Sequence, residues 1–115
     1  MSVRNVTKGT GLGDSIHRAD TSSTRRTGLL KHSKLADGEG LWIVPCEGVH
    51  TFFMKFPIDV IYLDRKKTVR KLAPNMAPWR ISFCLRAHSV LELAAGEITR
   101  TLTSVGDQLE FEASA

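Results

Sequence analysis

Apolar residues along this chain fall in short runs divided by turn-forming residues, and the runs have the length of strands. Leu41-Trp42-Ile43-Val44 is too short for a helix and β-branched at its end, and Pro45 to Gly48 breaks it. Thr51-Phe52-Phe53-Met54 is a second run, stopped near Pro57. Ile58 to Leu63 is the most regular. As a strand it places Ile58, Val60 and Tyr62 on one face and Asp59, Ile61 and Leu63 on the other. Asp64-Arg65-Lys66 predicts a hairpin turn, with Thr68 to Leu72 as the return strand. Residues 74–80, bracketed by Pro74 and Pro78, read as a loop. Ser89 to Leu93 and the alternating Gln108 to Glu112, after a turn at Gly106-Asp107, complete the strands.

Two segments read as helix. Ser22 to Leu30 has Asp20 and Thr21 as cap candidates and Lys31, His32 and Lys34 at the end the dipole favours. Gly28 inside it costs about 1 kcal/mol. Ala95 to Leu102 makes two turns, with Ile98 and Leu102 on one side. Residues 1–13 are polar and glycine-rich and predict a flexible arm or at most one edge strand. The expectation is therefore a mainly β chain: a small β-sandwich or barrel with two short helices. An α+β arrangement is the alternative. Residues 1–20 would form the arm and residues 21–115 a single compact domain.

Composition narrows the class. The 115 residues suffice for one core, and 42% hydrophobic with 24% charged residues is close to a globular average. Met1 to Asp20 holds no apolar run resembling an export signal, and no run approaches the ~20 residues of a membrane helix. A cytoplasmic location and no membrane partner are expected, with Cys46 and Cys84 reduced. The net charge of +4 is mild. Arg65-Lys66-Lys67 with Arg70 and Lys71 lacks interleaved aromatics and any nucleic-acid motif, so a solvated hairpin is expected rather than a nucleic-acid interface.

Candidate chemistry centres on residues 46–59. Cys46, His50 and Met54 are spaced by four, which on a straight strand separates neighbours by about 13 Å. Metal ligands sit about 2.0–2.3 Å from the ion, so no metal and no cofactor are predicted. A turn at Glu47-Gly48 brings Cys46 and His50 closer and leaves a nucleophile–base pair open. Asp59 shares a face with Ile61 and Leu63, and an inward carboxylate needs backbone N–H donors or a cation such as Lys55, Arg80 or Arg86.

Three stretches together resemble a known family: Arg26-Thr27-Gly28-Leu29-Leu30; His50-Thr51-Phe52-Phe53-Met54-Lys55-Phe56-Pro57-Ile58-Asp59-Val60-Ile61-Tyr62-Leu63-Asp64; and Val90-Leu91-Glu92-Leu93-Ala94-Ala95-Gly96 with Val105-Gly106-Asp107. Their order and spacing are similar to those of the bacterial and archaeal family called domain of unknown function 192, over about residues 25–111. The resemblance implies a compact mainly β domain of jelly-roll or barrel type. It carries over no activity. Members often have Asn-Thr after the Met-Lys pair, where Phe56-Pro57 stands here; Pro45-Cys46 resembles a shorter subgroup.

The function these features suggest is a non-enzymatic module that binds a small ligand or a protein segment. Its cleft would be lined by His50, Met54, Lys55, Asp59, Trp79 and Arg80, a few polar groups among apolar strands. A small hydrolase or transferase using Cys46 or Asp59, and an accessory protein docking on a larger assembly through an apolar patch, are the alternatives.

Overall fold

Ile58–Leu63 forms β6, a strand buried at every position, and the rest of the chain is arranged around it. The computed structural model describes residues 1–29 and 32–113, apart from the side chain of Arg26. In chain order the strands are β1 (Ser2–Asn5), β2 (Thr10–Gly13), β3 (Ser15–Ala19), β4 (Glu39–Ile43), β5 (Gly48–His50), β6, β7 (Val69–Met76), β8 (Ile81–Phe83), β9 (Ser89–Ala94) and β10 (Leu109–Glu112). Helix α1 (Ser22–Thr27) lies between β3 and β4, and α2 (Glu97–Arg100) between β9 and β10.

β6 and β9 form the middle of a five-stranded sheet ordered β3-β4-β9-β6-β7. Its pairs are antiparallel except β3 with β4. A three-stranded sheet, β10-β1-β2, covers one face of it. Val3, Leu12 and Leu109 meet Trp42, Ile61, Leu63, Leu91 and Leu93 in the core between them. The other face carries Leu41, Ile43, Val60, Tyr62 and Val90 and is covered by Leu29 after α1, Met54 and Ala87. Both faces of β6 and β9 are thus buried and mostly apolar, as a central strand requires.

The chain is mainly β with two short helices, as expected. The sheets do not close into a barrel, and the β3–β4 pair is parallel. Residues 1–20 are no arm. They supply three strands, because Val3, Leu12 and Ile16 are each only 1% exposed. β1 is the middle strand of its sheet, paired along its length with C-terminal β10. A buried network closes this seam: Asn5 Nδ2 donates to Thr103 Oγ1 at 3.1 Å and to Asp107 Oδ2 at 2.9 Å.

Other departures are local. Thr51 to Met54 is a turn rather than a strand: Met54 N–H donates to the Thr51 carbonyl, and Phe53 adopts φ +65°. β7 continues to Met76 through Pro74, where the register with β6 shifts; on an edge strand the missing proline N–H costs no ladder bond. Helix α1 stops at Thr27, and the predicted Leu30 and Lys31 lie outside the described residues. Both cysteines are free and half-buried. Among the described residues no helix is long and apolar enough to cross a membrane.

Candidate functional site

Helix α1 begins where Thr21 caps it. The Thr21 hydroxyl accepts from Thr24 N–H at 3.1 Å, and Thr24 Oγ1 accepts from Thr21 N–H. It ends at Gly28, whose φ of +48° and ψ of −127° lie in backbone space that side chains disfavour. That reversal sends Leu29 into the core, 3% exposed. It also sets the Gly28 backbone over β9: a Cβ built there would stand 4.0 Å from Glu92 Oε1.

Beneath this reversal lies a cavity of about 510 Å³, between α1, β4, β5 and β9. Leu29, Ile43, Val49 and Met54 give it apolar walls; Arg25, Cys46, His50 and Glu92 are its ionisable groups. Glu92 is placed there by strand alternation. Its cross-strand neighbours are Leu41 and Val60, and Leu91 and Leu93 point to the opposite core. Glu92 is 3% exposed, and burial raises its carboxyl to about 7. Among the described residues no hydrogen-bond or ion-pair partner reaches it. Arg25 instead donates from Nη1 to the carbonyls of Asp20 at 2.8 Å and Val44 at 3.5 Å.

The structure divides the six residues predicted to line a cleft. His50 and Met54 line the cavity. Lys55, Trp79 and Arg80 do not; all three are exposed, and Trp79 belongs to an adjoining aromatic ridge. Rings run from His50 to Phe52 (5.1 Å), Phe52 to Trp79 (5.9 Å) and Trp79 to Phe53 (4.7 Å). Thr51, fully buried, clamps the ridge. Its hydroxyl donates to the Ala77 carbonyl at 2.6 Å and accepts from Arg80 N–H at 2.9 Å, and its carbonyl accepts from Trp79 N–H at 3.0 Å. Trp79 is held there at φ +66°.

Asp59 belongs to the other face of the sheet and leaves the group. Its carboxylate accepts from the N–H groups of Asn75 (2.7 Å), Gly96 (3.1 Å) and Ile98 (2.7 Å). It ties β7 and the start of α2 to β6, and the basic partners Lys55, Arg80 and Arg86 are not used. The face was legible from alternation with Ile61 and Leu63; the partners were not, because they are backbone groups distant in sequence.

Cys46 has the opposite of nucleophile activation. Burial pushes its thiol up, and Sγ donates to the Gly48 carbonyl at 3.0 Å. A reactive cysteine needs its thiolate favoured. Among the described residues no three His, Cys, Asp or Glu side chains converge as a metal site. Glu92 is the residue that sequence reasoning missed. Its signal was a carboxylate inside the apolar run Val90 to Leu93, the same signal that drew attention to Asp59.

The fold and cavity define a small β-rich domain with a half-open, mixed polar and apolar pocket on one sheet face. The chain belongs to the DUF192 family, an "uncharacterized ACR", whose model matches residues 4–111. It is 33% identical to a UPF0127 protein of Pyrococcus furiosus, covering 93% of this chain and 95% of that one. It is 31% identical to a UPF0127 protein of Thermococcus sibiricus, covering 94% and 73%. A protein of unknown function from Novosphingobium aromaticivorans has the same fold, with TM-score 0.82 and 24% identity over 96% of this chain and 82% of the other. A protein from Sinorhizobium meliloti named as a candidate transcription regulator matches with TM-score 0.82 and 25% identity, over 95% and 89%.

Proposed function

We propose that this protein is a non-enzymatic binding module that holds a small ligand in the cavity beneath the α1 reversal. The observation that carries the reading is a buried carboxylate with no partner among the described residues, Glu92, set in a cavity that also has an apolar wall of Leu29, Ile43, Val49 and Met54. Small-molecule sites are of this kind: apolar walls with a few placed polar groups. His50 and Met54 belong to the lining. The raised Cys46 thiol weighs against the nucleophilic alternative.

Val49→Trp tests this, since the half-buried Val49 lines the cavity outside the central strands. In a fragment screen read by amide NMR shifts, bound fragments should move the resonances of Gly28, Cys46 and Glu92, and Val49→Trp should abolish the effect. Shifts that map elsewhere, or survive Val49→Trp, would sink the reading.

The docking alternative is favoured by one observation, the ridge: Phe53 is 71% and Trp79 55% exposed, both in left-handed backbone conformations. Phe53→Ser with Trp79→Ser separates the two readings. Fragment binding should be unchanged if the cavity is the functional site.

A further inference from the structure

We infer that the cavity takes a small organic cation, a protonated amine or guanidinium, with Glu92 as its counter-ion. This rests on the reading of the cavity as a ligand site and names its ligand class. A carboxylate taken out of water loses hydration worth several kcal/mol and recovers it only through charge and hydrogen-bond donors. Asp59 shows the usual solution in this protein, with three backbone N–H donors. Glu92, equally buried and one strand away, has none among the described residues. An ammonium or guanidinium group supplies both the missing charge and the missing donors. Leu29, Ile43, Val49 and Met54 supply an apolar wall for a hydrocarbon body.

Among the described residues, the charged and titratable groups facing Glu92 leave this role to the ligand. Arg25, from α1, is engaged with two backbone carbonyls. Cys46, after β4, holds its proton more tightly than usual, as does Tyr62 on β6; burial is the main cause in both. His50, from β5, lies at the cavity wall with its ring against Phe52.

Three probes of one shape and different charge test the inference: benzylammonium, benzyl alcohol and benzoate, titrated into the full chain and followed by amide NMR. At pH 8 the ammonium should bind roughly tenfold tighter than the alcohol, the increment of a charge-assisted over a neutral hydrogen bond, and benzoate weakest. At pH 5.5 that preference should disappear, because the Glu92 carboxyl, at about 7, is then protonated while the amine keeps its charge. Glu92→Gln should bind alcohol and ammonium alike at both pH values. The pH comparison within the parent protein makes the same test should Glu92→Gln fold poorly. Equal or stronger binding of alcohol or benzoate at pH 8 overturns the cation inference and leaves the module standing. A pH-dependent preference that persists in Glu92→Gln belongs to another group and also overturns it. No shift at Gly28, Cys46 or Glu92 with any probe overturns both.

Discussion

Glu92 should make the folded state less stable as the pH rises, and replacing it with Gln should remove that dependence. Burial raises the Glu92 carboxyl from its usual 4.5 to about 7, so the folded chain holds this proton more tightly than the unfolded chain. The stability it contributes is fully present below about 4.5, declines as pH rises, and is gone above about 7. The interval corresponds to about 3 kcal/mol at full burial, on the order of 10 °C in Tm for a domain of this size. Glu92→Gln keeps the shape and cannot ionise. Its amide still lacks a partner, which costs about 1–3 kcal/mol at every pH, so the slope and not the absolute value is the readout. Urea unfolding of parent and variant at half-unit steps from pH 4.5 to 8 measures it. The parent should lose stability relative to Glu92→Gln by about 3 kcal/mol across that range. Parallel curves would show that Glu92 is solvated or paired in the folded state, and the reasoning about the cavity would fail with it.

Asp59→Ala strips the acceptor from the N–H groups of Asn75, Gly96 and Ile98. It should cost about 3 kcal/mol or more in thermal or urea unfolding while leaving fragment binding in the cavity intact; loss of binding at unchanged stability would contradict the structural role. Thr51→Val removes the hydroxyl that bonds the Ala77 carbonyl and Arg80 N–H. Hydrogen exchange at residues 77–80 should accelerate for a stability loss of about 1–2 kcal/mol, and unchanged exchange would mean the clamp is unimportant. Burial raises the Asp107 carboxyl, but hydrogen bonds from Asn5, Lys8 and Ser104 outweigh it and hold the group below its usual 3.8. That stability is present above the ordinary carboxylate range and lost as pH falls through the lowered value. Asp107→Asn should therefore show a smaller acid-induced drop in Tm, and an identical drop would exclude this cause.

Local pattern determined the elements whose reasons are local. The alternation of Ile58 to Leu63 is a strand in any compact setting, and so is Ser89 to Leu93; the Asp64-Arg65-Lys66 turn follows from its composition. The same pattern placed Asp59 with Ile61 and Leu63. Pairing across the chain was not legible. Val3 and Leu12 look like sparse apolar residues in a glycine-rich stretch until β10 arrives from the other end and the Asn5–Asp107 bond closes over them. Phe53 reads as part of a strand and Trp79 as a cleft residue until the Thr51 clamp turns both outward. The deepest ambiguity lay in two carboxylates with the same signature, each alone in an apolar strand. Asp59 finds three backbone N–H donors where β7 ends and α2 begins; Glu92, on the opposite face, finds a cavity. A carboxylate's neighbours within its own strand fix which way it points, but its hydrogen-bond donors come from segments 16 to 39 residues away. Only the folded chain decides which of the two is tied to backbone donors and which faces a cavity.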